Sequence, residues 1–128
     1  MLLKIDFESE LPIYEQLKRQ IILGIAAGAL KSGESLPSVR QMGEDIGINL
    51  HTVNKAYNNL KAEGYVIIDR RKGAVINEKL PEATEEFKEN LTEELSYIIA
   101  DFKCRGFTLE EFLKLCCKIF NDYKMVED

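Results

Sequence analysis

A short helical pattern joined through a glycine turn to a second capped helix, then two β-rich runs around a basic turn, predict a winged helix-turn-helix. Two further amphipathic stretches after Pro81 extend the prediction to a mainly α fold with a small β-hairpin, ending in a two-helix antiparallel hairpin. The expected division is residues 1–79 for the winged helix-turn-helix and 80–128 for the helical hairpin.

The first helix is expected to start at Pro12, whose fixed φ suits a first helical turn. Its apolar stripe runs Ile13, Leu17, Ile21 and Ile25, and Gly28 ends it. The segment LKSGESLPS carries Gly33 and Pro37 but also two apolar anchors, Leu30 and Leu36, so it reads as an ordered connector. Ser38 with Gln41 three residues later makes a capping box that opens a second helix, with Val39, Met42 and Ile46 facing inward. Gly47 stops that helix after roughly two turns. Asn49, a favoured N-cap, then opens a third helix whose stripe Val53, Ala56, Tyr57 and Leu60 ends at Gly64. The runs YVIID and AVIN follow, separated by RRKG, so Arg70, Arg71 and Lys72 sit at a hairpin tip before Gly73. Beyond Pro81 a long helix presents Phe87, Leu91, Leu95, Ile98 and Phe102 on one face and closes at Gly106. Thr108 with Glu111 forms a second capping box, opening a last helix with Leu109, Phe112, Cys116, Ile119, Phe120 and Tyr123.

The composition permits a packed core: of 128 residues, 45% are hydrophobic and 30% charged. There is no run of about 18 apolar residues, and the start MLLKIDFESELP lacks the pattern of a signal peptide, so a soluble, cytoplasmic protein is expected, with no membrane partner. The net charge of −5 divides unevenly, +1 over residues 1–79 and −6 over residues 80–128, so the acid is concentrated in the tail. A nearly neutral front half with local basic clusters can still grip phosphates. His51 is the only histidine, which removes most arrangements for acid–base catalysis or zinc ligation. The three cysteines, Cys104, Cys116 and Cys117, have no CxxC spacing and read as reduced core thiols. Neighbouring Cys116 and Cys117 point about 100° apart on a helix, so sharing one metal would be difficult. No enzyme activity, metal or cofactor is expected.

The outward face of the third helix carries His51, Thr52, Asn54, Lys55 and Asn58. Asn matches an adenine edge, Lys and His donate to guanine or phosphate, and the Thr methyl fits thymine. Such a face is often only a solvated surface. Its place after a two-turn helix and before a basic hairpin points to DNA. Arg70, Arg71 and Lys72 on a wing suit the minor groove or flanking phosphates. Arg40, from its sequence position alone, suits a surface ion pair with Glu44 at i+4.

The stretch from DFESELPIYEQLKRQI through LPSVR and NLHTVNKAYNNL to the wing RRKGAVI resembles the GntR superfamily of winged-helix regulators, within it the short YtrA-type branch. The resemblance covers about residues 5–77, and beyond it the chain matches in length and helical character only. It implies that Arg40, Asn49, His51, Thr52, Asn54 and Lys55 lie against DNA, with Arg71, Lys72 and Gly73 in the wing. Leu50 and His51 stand where the branch typically has Pro and Asn, and Arg71 where a wing glycine is common, so a different operator is expected.

The resemblance further implies repression of targets such as transporter operons, with a short tail used for dimer formation. The apolar faces of the last two helices exceed what one hairpin can seal, which makes a second copy the economical partner, with packing back onto the winged domain as the alternative. The residues expected at that interface are Phe87, Leu91, Leu95, Ile98, Phe102, Phe112, Cys116, Ile119, Phe120 and Tyr123. The expected function is therefore a homodimeric DNA-binding repressor on an inverted-repeat operator. Two other classes fit the residues less fully: a winged-helix protein-interaction adaptor, and a regulator sensing a ligand or metal through its C-terminal helices.

Overall fold

In the computed structural model, which describes residues 4–124, the first apolar stripe forms α1 (Ile13–Ala26), with Pro12 at the N-cap position. Leu17 and Ile21 are fully buried along it. Gln16, one turn from the start, is buried too, and its amide is satisfied by the segment before the helix. Its Nε2 donates to the carbonyls of Asp6 at 2.9 Å and Leu11 at 2.8 Å, and its Oε1 accepts from the Asp6 amide at 2.9 Å. A buried amide that fills its hydrogen bonds costs little and fixes the chain that supplies them.

The second and third helices are α2 (Val39–Ile46) and α3 (Leu50–Glu63). Gly47 ends α2 with φ +70°, a left-handed conformation that a side chain resists. Gly43 is required for a different reason: a Cβ there would stand 2.9 Å from the Ile48 carbonyl oxygen, so only glycine lets the turn fold back this tightly. Ser38 Oγ accepts from the Gln41 amide at 3.1 Å as expected, but the reciprocal half of the capping box is missing. The Gln41 side chain donates instead to Asp45 at 2.6 Å, because a partner at i+4 on the same helix face is also within reach.

Strands β1 (Val66–Asp69) and β2 (Gly73–Ile76) pair antiparallel, with Val66 opposite Ile76 and Asp69 opposite Gly73. The connector before α2 runs along the other edge of β2. Leu36 N donates to the Ala74 carbonyl at 2.8 Å, Gly33 N to Ile76 at 2.8 Å, and Ile76 N to Glu34 at 2.9 Å. The wing is thereby tied to the same segment that leads into α2. One core unites these parts, drawing Leu17 and Ile21 from α1, Leu30 and Leu36 from the connector, Met42 from α2, Val53, Ala56 and Leu60 from α3, and Val66 and Ile76 from the hairpin.

The chain divides between Pro81 and Glu82 into two compact units. The second holds α4 (Glu85–Cys104) and α5 (Leu109–Lys124). Thr84 caps α4 by accepting from the Phe87 amide at 3.1 Å, and the Thr108–Glu111 box is complete in both directions, at 3.2 and 3.0 Å. Aromatic contacts join the helices at their corner. Phe102 stacks on Phe107 at 4.2 Å and meets Phe112 edge-on at 5.4 Å. Away from that corner nothing on α4 is buried. The expectation of core thiols is corrected accordingly: Cys104 and Cys117 are exposed and only Cys116 is half-buried, because the described residues of this unit enclose no core to receive them.

Candidate nucleic-acid interface

The interface residues follow from how α3 is divided around its axis. Val53, Ala56, Tyr57 and Leu60 turn into the core, so the intervening His51, Asn54, Lys55 and Asn58 are left exposed and Thr52 half-exposed. Asn49 begins the helix by accepting from the His51 amide at 2.7 Å, which commits its carbonyl oxygen to capping and leaves its NH2 group for a ligand. Buried Tyr57 reaches across to the loop before α2, its hydroxyl donating to the Pro37 carbonyl at 2.7 Å. Burial raises the phenol well above its ordinary pKa, so it remains a donor at any working pH.

Arg40 lies exposed in the first turn of α2. Among the described residues no carboxylate lies within ion-pair distance of it, so the expected pair with Glu44 is not formed. That leaves the guanidinium free for an anion from outside the chain.

At the wing, Asp69 organises the basic tip. Its Oδ1 accepts from the backbone amides of Arg71 at 2.7 Å and Lys72 at 3.0 Å, which closes the loop. Those two amides, Arg71 first, hold the carboxyl below its usual pKa. Gly73 supplies the single left-handed residue of this turn, at φ +76°, so Arg71 needs no unusual backbone where a relative would have glycine. Arg70, Arg71, Lys72 and Gly73 are all exposed.

The sequence reading missed Tyr14. Its ring lies beneath the Lys55 ammonium, 4.1 Å from the ring centroid, and together with Ile13, His51 and Thr52 these two residues line an open notch between α1 and α3. Tyr14 follows Ile13 directly, about 100° off the apolar stripe, and an aromatic residue in that position beside a helix start was the available signal. The role of Asp69 was also legible, as an Asp immediately before a basic turn ending in glycine.

The expected interface residues of the second unit are placed on α4 and α5 with their apolar side chains uncovered. Phe87, Leu91, Leu95, Ile98, Ile119 and Phe120 are exposed, Phe120 by 71%, while Phe102, Phe112, Cys116 and Tyr123 are half-buried. Among the described residues no group of three His, Cys, Asp or Glu side chains is arranged to hold a metal ion. No described helix is long and apolar enough to cross a membrane.

A capped recognition helix, a short helix before it and a basic two-stranded wing define the winged helix-turn-helix class of transcription regulators. The family model "Bacterial regulatory proteins, gntR family" matches residues 13–76, and the chain belongs to that family. It is 35% identical over 124 residues to the HTH-type transcriptional repressor YtrA of Bacillus subtilis, an alignment covering 96% of this chain and 95% of that protein. Among solved structures, the GntR-family factor YtrA from Sulfolobus acidocaldarius matches with a TM-score of 0.66 at 37% identity, over 78% of this chain and 99% of that one. A Listeria monocytogenes protein described as a transcriptional antiterminator matches with a TM-score of 0.85 at 30% identity, over 100% and 95% of the two chains. The YtrA-type branch expected from the sequence is the branch that the first two of these relatives represent.

Proposed function

We propose that this gntR-family regulator is a repressor that binds an inverted-repeat operator as a homodimer in the bacterial cytoplasm. The observation that carries the DNA reading is the exposure of two sets of groups on one folded unit, the polar face of α3 and the basic wing tip, together with an exposed Arg40 that has no ion-pair partner among the described residues. Arg40, Asn49, His51, Thr52, Asn54 and Lys55 meet the groove and its phosphates, while Arg71, Lys72 and Gly73 bring the wing to the flanking backbone. Repression is supported by the similarity to the Bacillus subtilis repressor, which spans nearly the whole of both chains.

The dimer reading rests on the second unit. Two helices with an uncovered stripe from Phe87 through Ile98, and no buried residue on α4, bury too little surface to be stable unaided. A second copy offers the same stripe and closes a helical bundle around it. Selection of bound sequences from a random duplex pool tests the whole reading. The expected product is an inverted repeat with half-site centres about 10 base pairs apart. A stem-loop RNA serves as the control, because one structural relative is described as an antiterminator. Preference for that RNA, or enrichment of no duplex at all, would refute the proposal.

A further inference from the structure

We infer that Tyr14 is a positioning residue that holds the Lys55 ammonium at the margin of the recognition face, making Lys55 a phosphate contact and not a base reader. This rests on the DNA-binding reading above and assigns one side chain within it.

Two roles are open to a lysine in the first half of a recognition helix. It can extend into the groove and donate to a guanine edge, or it can stay at the rim and neutralise a phosphate. The side chain's direction decides between them. The Lys55 ammonium lies over the Tyr14 ring, 4.1 Å from its centroid, and both residues line the notch they share with Ile13, His51 and Thr52. Lys55 is therefore drawn back toward α1, while Asn54 lies about 100° further around α3. Among the described residues no carboxylate competes for it within ion-pair distance. A cation over an aromatic face is attracted to the ring while its N–H groups remain available, so the contact fixes position without using up the charge. Lysine also lacks the planar fork of arginine. It serves best as a point charge toward phosphate, and a margin position beside the first helix demands no more than that.

The test measures binding of the full chain to two duplexes, one selected from a random pool by the protein itself and one with that sequence scrambled, over a range of salt. Lys55→Ala should weaken binding to both duplexes by the same factor, about tenfold at 0.1 M salt, and lower the salt slope by about 1. Tyr14→Leu should weaken both by about two- to fivefold, and should have no further effect in the Lys55→Ala background. Tyr14→Phe keeps the ring and should bind like the parent.

Thermal melting separates loss of fold from loss of contact, since Tyr14→Phe and Lys55→Ala disturb no buried group. Three outcomes would overturn the inference: a Lys55→Ala loss confined to the selected duplex, a Tyr14→Phe loss equal to that of Tyr14→Leu, or a Tyr14→Leu loss that persists without Lys55. Failure of the parent chain to bind either duplex would instead overturn the DNA-binding reading itself.

Discussion

The hydroxyl of Tyr57 donates to the backbone carbonyl of Pro37 at 2.7 Å, bridging 20 residues between the recognition helix and the loop that launches α2. Arg40 sits in the first turn of α2, so this bond sets where its backbone lies relative to the reading face of α3. Tyr57→Phe leaves the Pro37 carbonyl without its partner and should cost about 1–3 kcal/mol of stability. For a domain of this size each kcal/mol corresponds to about 4–8 °C in Tm. Calorimetry checks the stability, and DNA affinity should fall with it. An unchanged Tm would mean that the bond contributes nothing.

Arg40→Ala should weaken binding to a selected operator by about 1–3 kcal/mol with no change in Tm, because the guanidinium is exposed and has no ion-pair partner among the described residues. Leu60→Ala should behave in the opposite way. Leu60 is wholly buried in the same core as Leu17 and Met42, and removing it costs about 2–5 kcal/mol, enough to unfold a marginally stable domain. Binding titrations beside thermal melts distinguish the two. Loss of fold in Arg40→Ala would contradict its placement at the surface.

The wing tip carries a pH signature. The backbone amides of Arg71 and Lys72 hold the Asp69 carboxyl below its ordinary value, so order in the tip is present above the unfolded pKa of about 3.9 and is lost as pH falls through the depressed folded value. In NMR titrations the Arg71 and Lys72 amide protons should shift together with the Asp69 carboxyl, at a pH below the usual aspartate range. Asp69→Asn keeps an oxygen acceptor and should retain both amide positions at neutral pH. Amides that titrate in the ordinary range would contradict the hydrogen bonds described.

Replacing Cys104 and Cys117 with Ser and Cys116 with Ala should preserve DNA binding, with no dependence on zinc or oxidant. The first two thiols are exposed and should cost little, while half-buried Cys116 carries most of any stability loss. Binding that tracks added metal or oxidant would show a sensing role.

Much of the first unit was legible because its signals are local and repeated. The α3 stripe, its Asn49 cap and the glycine stops at Gly47 and Gly64 each fix a boundary from neighbouring residues alone. What escaped the sequence depends on pairing across the fold. The Tyr14 ring meets Lys55, and Gln16 meets Asp6 and Leu11, only after α1 has been placed, and neither pairing has a spacing rule. The cysteines were misread as core for a related reason. An apolar periodicity shows that a face wants burial, yet not whether this chain supplies the cover, and on α4 and α5 it leaves most of that face open.

In the proposed dimer the uncovered stripe on α4 joins two chains so that two recognition helices read one duplex. Sedimentation velocity of the full chain, alone and bound to a selected duplex, tests it most directly when set beside the Leu91→Glu/Ile98→Glu variant. Both positions are exposed in the single chain and lie outside the core of the winged unit, so the charges should leave that unit folded. The parent should sediment as a dimer and place two chains on each duplex. The variant should sediment as a monomer and lose most of its operator affinity. A monomeric parent, or a monomeric variant that binds the operator as tightly as the parent, would rule out dimerisation through α4 as the basis of operator binding.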